Sequence, residues 1–337
     1  MSKNVLSIIS VIGLFAFLLF GHTGYATEKK YVEDELLVQF KAGVPHFKAR
    51  TMVEKEGAQI ARHVPQIRLM RIKAPPKALE AIKKVLEKNP NVAFVEPNYI
   101  AKPQYIPNDT YFSSQWHLSK IQAPEGWDIS KGSENVIIAI ADTGVNTNHP
   151  DLAPKLVPGY NCYAENTDVT DTHGHGTAVA GVAGAVCDNA QGVAGVACKN
   201  LIMPLKIANP NGYATYGDMA QAIVYAADNG AKIVNISFAG TGFSYTLQSA
   251  IDYAWGRGVI VVAAAGNSNS STPMYPAALK NVIAVGGTAK DDTKASFSSY
   301  GDWVDISAPA VSIYTTSKSG GYGSSNGTSF ASPIVAG

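Results

Sequence analysis

A chain of 337 residues with 46% hydrophobic and 16% charged residues has the material for a sizeable core and, by ordinary domain size, for about two domains. The formal net charge of +1 argues against a nucleic-acid binder. That total hides an asymmetry: residues 28–104 carry 15 Lys+Arg against 9 Asp+Glu, a net of +6, and residues 105–337 carry 11 against 17, a net of −6.

The chain begins with Lys3, an apolar run over residues 5–20 and the small-x-small sequence Gly24-Tyr25-Ala26. This reads as a secretory signal peptide over residues 1–26, which makes the mature protein extracellular. The competing reading is an uncleaved anchor, against which the run is short for a membrane span. No cysteine lies near the cleavage signature, which excludes a lipoprotein anchor.

Residues 27–104 read as a small α+β module. Strands are expected over 35–40, 69–72 and 92–95 and helices over 45–56 and from Pro75-Pro76 onward, where Leu79, Ile82 and Leu86 share one face. Strands interleaved with two helices suggest a ferredoxin-like, split β-α-β layer. Residues 96–104, Glu96 to Gln104, are expected to be an extended tail because of their prolines.

From residue 105 onward, apolar runs at 136–141, 201–207, 233–238, 259–264 and 282–285 alternate with helical stretches such as 216–228 and 246–255. The runs are too continuous for a sheet with one wet face, so they predict an α/β fold: a parallel sheet covered by helices on both faces. Reactive groups then belong at the carboxyl ends of the strands. No G-x-G-x-x-G after a first strand and no Walker loop is present, which removes the nucleotide-binding reading.

Four local contexts carry chemistry. The run Ile138-Ala139-Ile140-Ala141 ends in Asp142-Thr143-Gly144, placing a carboxylate at a strand end. Asp171-Thr172-His173-Gly174-His175-Gly176-Thr177 offers two histidines in a glycine-rich turn that opens a small-residue helix. Ala263-Ala264-Ala265-Gly266-Asn267 ends a buried strand in an amide, for which a plain turn residue is the alternative. Gly327-Thr328-Ser329-Phe330-Ala331-Ser332-Pro333 puts a serine among small residues at a helix start, where free N–H groups favour developing negative charge. Taken alone, that last stretch is a Gly/Ser-rich loop. A serine hydroxyl needs a base and an orienting carboxylate, and both lie upstream in the order Asp, His, Ser.

That order, with these motifs, resembles the subtilase family of serine peptidases and its thermitase-like members, over about residues 105–337. The resemblance implies a secreted serine endopeptidase acting on protein or peptide substrates. Ser329 would be the nucleophile, His175 the base by its place in the H-G-T-x-V-A-G pattern, Asp142 its orienting partner and Asn267 an oxyanion donor. His173 would be solvated. Residues 27–104 resemble the family's propeptide, which assists folding and inhibits the enzyme until a cut, here expected near Gln104. Opposite net charges on the two halves suit that association.

By the same carry-over, Ser237, Phe238, Ala239 and Gly240 would form one wall of the S1 pocket and Ala264, Ala265 and Gly266 the other. Phe238 stands where the family more often has Leu. Gly212, Tyr213 and Ala214 would pair with the substrate main chain and Tyr216 would line S4, implying broad cleavage that favours apolar or aromatic P1 residues. A structural Ca2+ is implied at the side chains of Asp109, Asp151 and Asn189 and the carbonyls of Val186, Gln191 and Val193.

Three cysteines, Cys162, Cys187 and Cys198, allow at most one internal bridge, and Cys187 with Cys198, flanking a Gly-rich loop, is the first choice. The protein is expected to be a monomer, free of the membrane after signal cleavage. Gly337 follows Ser329 by eight residues, so a C-terminally truncated catalytic domain that matures poorly is also expected. The rival readings are a silent fragment whose propeptide acts as inhibitor or folding helper, and an esterase or amidase using the same triad.

Overall fold

The computed structural model describes residues 30–101 and 105–337. The signal-peptide reading of residues 1–26 and the cut near Gln104 lie outside the described residues. The chain divides into two compact units, Met1–Lys102 and Pro103–Gly337, each with its own core.

The first unit runs β1 (Tyr31–Phe40), α1 (His46–Lys55), β2 (Gln59–Val64), β3 (Leu69–Lys73), α2 (Pro76–Glu87) and β4 (Val92–Tyr99). Its sheet has the order β2-β3-β1-β4 with every pair antiparallel, the ferredoxin-like arrangement. As the sequence period requires, Leu79, Ile82 and Leu86 are the buried face of α2. Two strand assignments differ from expectation. Strand β2 was not anticipated, because Gln59-Ile60-Ala61-Arg62-His63-Val64 has no buried residue and lies at the sheet edge with a register shift after Ile60. Strand β4 continues to Tyr99, so half of the expected tail is sheet. Pro97 is tolerated there because it adjoins the irregularity in the β1 pairing.

The second unit opens with α3 (Trp116–Lys120) and α4 (Ala123–Ile129), then β5 (Ile137–Asp142), β6 (Tyr160–Asn161), α5 (His175–Gly184), β7 (Leu201–Lys206), α6 (Tyr216–Asp228), β8 (Ala231–Ile236), α7 (Tyr245–Gly256) and β9 (Ile260–Ala264). It closes with β10 (Val282–Thr288), β11 (Ile306–Pro309), a hairpin of β12 (Ile313–Thr316) and β13 (Tyr322–Ser325), and α8 (Thr328–Ala336). The main sheet has the order β11-β10-β9-β8-β5-β7-β6, all parallel.

Alternation along β5 shows why both faces are covered. Ala139 and Ala141 join one core with α6 and α7, while Ile138 and Ile140 join the other with α5 and α8. Helices α6 and α7 are ordinary amphipathic covers, capped by the hydroxyls of Thr215 and Ser244. Helices α5 and α8 are different: almost every residue is buried, so each is small-residue helix inserted into the core rather than laid on it. Fully buried valines such as Val179 and Val182 contribute about 1.5–3 kcal/mol each. Small residues also permit close approach. A Cβ on Gly176 would strike the Gly144 carbonyl and lie 3.0 Å from the Asp142 Cβ.

Candidate active site

Asp142 is the last residue of β5, His175 the first of α5 and Ser329 the second of α8. The carboxyl end of an interior strand and two helix N-termini thus bring an acid, an imidazole and a hydroxyl into one region, with Phe330 packed against the His175 ring at 5.7 Å between centroids.

Asp142 is fully buried and its Oδ1 lies 2.7 Å from His175 Nδ1 and accepts the Thr143 N–H at 2.7 Å. A carboxylate can only accept here, so Nδ1 carries the proton and Nε2 keeps its lone pair as a base. Burial alone pushes the imidazole pKa down, but the charge and hydrogen bond of Asp142, with the charge of Asp171, outweigh it and leave the pKa raised above 6.5. Ser329 Oγ donates to the Ser237 carbonyl at 3.2 Å, so the hydroxyl proton must turn toward the imidazole before it is transferred.

Asn267 Oδ1 accepts both the Thr328 N–H at 2.9 Å and the Thr328 hydroxyl at 3.0 Å. A backbone N–H cannot accept, so the amide orientation is fixed and Nδ2 is turned away as a donor. Gly327, at φ 141°, lies beside it: a Cβ there would sit 3.4 Å from Asn267 Nδ2 and 3.7 Å from the Ser329 N–H nitrogen. The space a side chain would fill is therefore flanked by two N–H donors, the arrangement that stabilises an oxyanion. Ser329 N–H belongs to the first turn of α8, where helical partners are missing.

Two residues that sequence reasoning did not single out tie this region together. Asp171 accepts five hydrogen bonds, from Thr143 Oγ1, His173 N and Gly174 N on one oxygen and from Thr177 N and Thr177 Oγ1 on the other. Thr143 Oγ1 in turn accepts the Gly176 N–H at 2.8 Å. A signal was present: an acid four residues before His175 and a hydroxyl directly after Asp142.

The residues expected to contact substrate fall as follows. Ser237 is bound twice to Ser329, through its carbonyl and through Oγ on the Ser329 carbonyl at 2.9 Å. Phe238 stands edge-on to His175 at 5.9 Å. Gly266 N–H donates to Thr328 Oγ1 at 3.0 Å, so the end of β9, from Ala264 and Ala265, is fastened to α8. Residues 209–213 close a tight turn that uses both backbone groups of Tyr213, leaving its side chain 74% exposed. His173 is exposed and lies against Gly212, where a Cβ would come within 2.9 Å of its Nε2. Tyr216 borders Gly240, where a Cβ would meet its hydroxyl, and Ala239 lies between Phe238 and that glycine.

Of the expected calcium donors, Asp109 and Asp151 are buried. Asp109 Oδ2 accepts the Asp188 N–H at 3.0 Å, whereas Oδ1 is buried without a partner. Burial raises the Asp109 pKa, against two N–H bonds, and the charges of Asp151 and Asp188 add to the rise. Asp151 holds the Asn189 amide at 2.6 Å and the Val193 N–H at 2.9 Å, its carbonyl holds the Val186 N–H, and Gln191 N–H donates to Asn189 Oδ1. Among the described residues no group of three or more His, Cys, Asp or Glu could hold a metal. One oxygen of the expected donor set is bare and buried, Asp109 Oδ1, while both Asp151 carboxylate oxygens and Asn189 Oδ1 already accept hydrogen bonds from the loop. Hard oxygens of that kind suit calcium. The loop is closed by a Cys187–Cys198 disulfide, the first-choice pair, and Cys162 is free and buried, its thiol pushed up to about 12 by burial.

Comparison with known proteins bears on the family of the chain and of its N-terminal unit. The model describing the subtilase family matches residues 133–337, and one describing the fervidolysin N-terminal prodomain matches residues 23–98. The chain is 41% identical to a thermophilic serine proteinase of Bacillus sp. (strain AK1) over 91% of this chain and 77% of that protein. It is 48% identical to thermitase of Thermoactinomyces vulgaris over 69% of this chain and 84% of that protein. Among solved structures, a protease from Pseudoalteromonas arctica matches with a TM-score of 0.65 and 29% identity over 69% of this chain and 85% of that one. A cold-adapted subtilisin-like serine proteinase matches at 0.57 and 34% over 62% and 76%.

Proposed function

Given that this chain belongs to the subtilase family, as a serine endopeptidase with a prodomain, we propose the residue roles that perform its chemistry. Ser329 attacks the peptide carbonyl, His175 Nε2 takes the hydroxyl proton and returns it to the leaving amine, and Asp142 holds the imidazole tautomer and stabilises the imidazolium. Asn267 Nδ2 and the Ser329 N–H receive the oxyanion of the tetrahedral intermediate. The observation that carries this reading is the pairing of His175 Nδ1 with the buried Asp142 Oδ1 at 2.7 Å, which leaves Nε2 as the only free imidazole nitrogen beside the serine's helix.

The same reading assigns residues 1–26 to a signal peptide, 27–104 to the inhibitory propeptide and 105–337 to the catalytic domain, secreted and processed near Gln104. Among the described residues no helix is long and apolar enough to cross a membrane. Subtilases generally bind structural calcium; in this chain Asp109, Asp151 and Asn189, with the carbonyls of Val186, Gln191 and Val193, would hold it. Residues of the 186–193 loop and Asp109 would then share one cation, whose contribution would be structural, and peptide hydrolysis rests on the triad. Phe238, edge-on to His175, supports a preference for apolar or aromatic P1 residues, with Ala264, Ala265 and Gly266 as the opposite wall that the family resemblance implies.

The test is hydrolysis of an N-blocked tetrapeptide ending in Phe. Cleavage that disappears in Ser329→Ala and in His175→Ala supports the assignment, and full activity in either variant removes it.

A further inference from the structure

Asp171 is 7% exposed, and among the described residues no lysine or arginine is paired with it. Its oxygens are held by N–H and O–H donors without a direct ion pair. Those five donors are not scattered. They come from three places that must be held together for the triad to exist: Thr143, the residue after Asp142; the backbone of His173 and Gly174, immediately before His175; and Thr177, in the first turn of α5. Thr143 closes the circuit, since its N–H donates to Asp142 Oδ1 and its hydroxyl both donates to Asp171 and accepts from Gly176 N–H. One carboxylate therefore fastens the strand that carries the acid to the helix that carries the base, with a single hydroxyl between them.

Resting on the reading of His175 as the base, we infer that Asp171 is a positioning residue: through Thr143 and the first turn of α5 it sets the His175 imidazole against Asp142 and presents a second buried negative charge to the imidazolium formed during catalysis. A hydrogen-bonded carboxylate inside the protein is poorly screened, so its field reaches the ring without contact. Its charge acts in the same direction as that of Asp142 on the His175 pKa. The other titratable or charged groups facing this pocket are His173, whose ring lies 6.4 Å from that of His175, Lys206 on the Thr170 carbonyl, and Lys318 on the Thr172 carbonyl. The two lysines bind the backbone of the same loop and oppose the field of Asp171 only in part.

The substitution Asp171→Asn keeps the shape and removes the charge. It also leaves an amide N–H2 facing N–H donors on one side, which loosens either the 173–174 turn or the first turn of α5. The experiment uses the full chain after propeptide removal, with active sites counted by an irreversible serine-directed reagent and kcat and KM measured against pH on the Phe tetrapeptide. The expected result is kcat per competent site lower by about 10- to 100-fold with KM little changed, as for a slightly misplaced catalytic group. The acid limb of kcat/KM should move to lower pH, because loss of a negative charge makes the imidazolium easier to deprotonate. Thr143→Val should show the kcat loss to a smaller degree, and Thr143→Ser, which keeps the hydroxyl, should restore it. Unchanged kcat per site with an unmoved acid limb in Asp171→Asn overturns the proposal, even if the thermal midpoint falls. If Asp171→Asn yields no soluble protein, equal kcat in Thr143→Val and Thr143→Ser overturns it. Full activity in His175→Ala would instead remove the underlying reading of the base.

Discussion

The side-chain oxygen of Asn267 is held by the Thr328 N–H at 2.9 Å and hydroxyl at 3.0 Å, so the residue before the nucleophile orients the amide that faces the oxyanion space. Donors fixed before the reaction need no reorganisation when charge develops, which is why they favour the transition state over the substrate. Asn267→Leu should therefore lower kcat by roughly 100- to 1000-fold with little change in KM. Gly327→Ala should act similarly from the other side, because its Cβ would occupy the space between Asn267 Nδ2 and the Ser329 N–H and because φ 141° strains any side chain. A KM rise with unchanged kcat in both variants would show that these groups bind substrate rather than stabilise the oxyanion.

His117 in α3 is fully buried, neither ring nitrogen has a partner, and burial holds its pKa down at about 4. Between the ordinary 6.5 and about 4 the unfolded chain binds a proton that the folded protein does not, so folding stability falls as pH drops through that window. The shift corresponds to a few kcal/mol at most, on the order of 1.4 kcal/mol per unit. His117→Leu removes two unsatisfied polar atoms and the titration. It is expected to raise the thermal midpoint at pH 7, with a larger gain at pH 4. A gain that stays constant between pH 7 and pH 4 would contradict the assignment.

Much of the fold was legible because it rests on patterns that a sequence displays directly. The runs around Ile138-Ala139-Ile140-Ala141 and at 259–264 are apolar on both faces and became central strands. What stayed hidden has a common cause. Strand β2 is polar and lies at an edge, β11 has only Ala308 and Pro309 buried, and β6 is two residues long, so none has an internal period to read. The chemistry-bearing residues stood in recognisable local contexts, whereas the link between Asp171 and Thr143 is a hydroxyl–carboxylate bond across 28 positions that only folding brings together. Asn267 was legible as a strand-end amide, but the residue that orients it, Thr328, lies 61 positions away.

Calcium should govern stability before it touches catalysis. Asp109 keeps a buried carboxylate oxygen bare within the influence of Asp151 and Asp188, so removing a bound cation leaves unpaired negative charge at this loop. A chelator should shorten the thermal inactivation half-life while leaving the initial kcat at low temperature unchanged, because a ligand bound to the folded form alone stabilises by mass action. Asp109→Asn should reduce the difference between calcium and chelator. Equal half-lives with and without calcium would remove the proposed site.

The propeptide supplied as a separate chain should bind and inhibit the catalytic unit, at a rate governed by salt. The first unit has its own buried core and complete sheet, so it has the means to fold by itself. Residues 28–104 carry a net +6 and residues 105–337 a net −6, so long-range attraction accelerates encounter at low ionic strength. Screening over about 10 Å at 0.1 M salt weakens that steering but acts much less on contacts already formed. Raising salt should therefore slow association more than it speeds release. Stopped-flow measurement of inhibition onset against salt separates the two rates. An association rate insensitive to salt would mean that the charge asymmetry is spread over surfaces that do not meet.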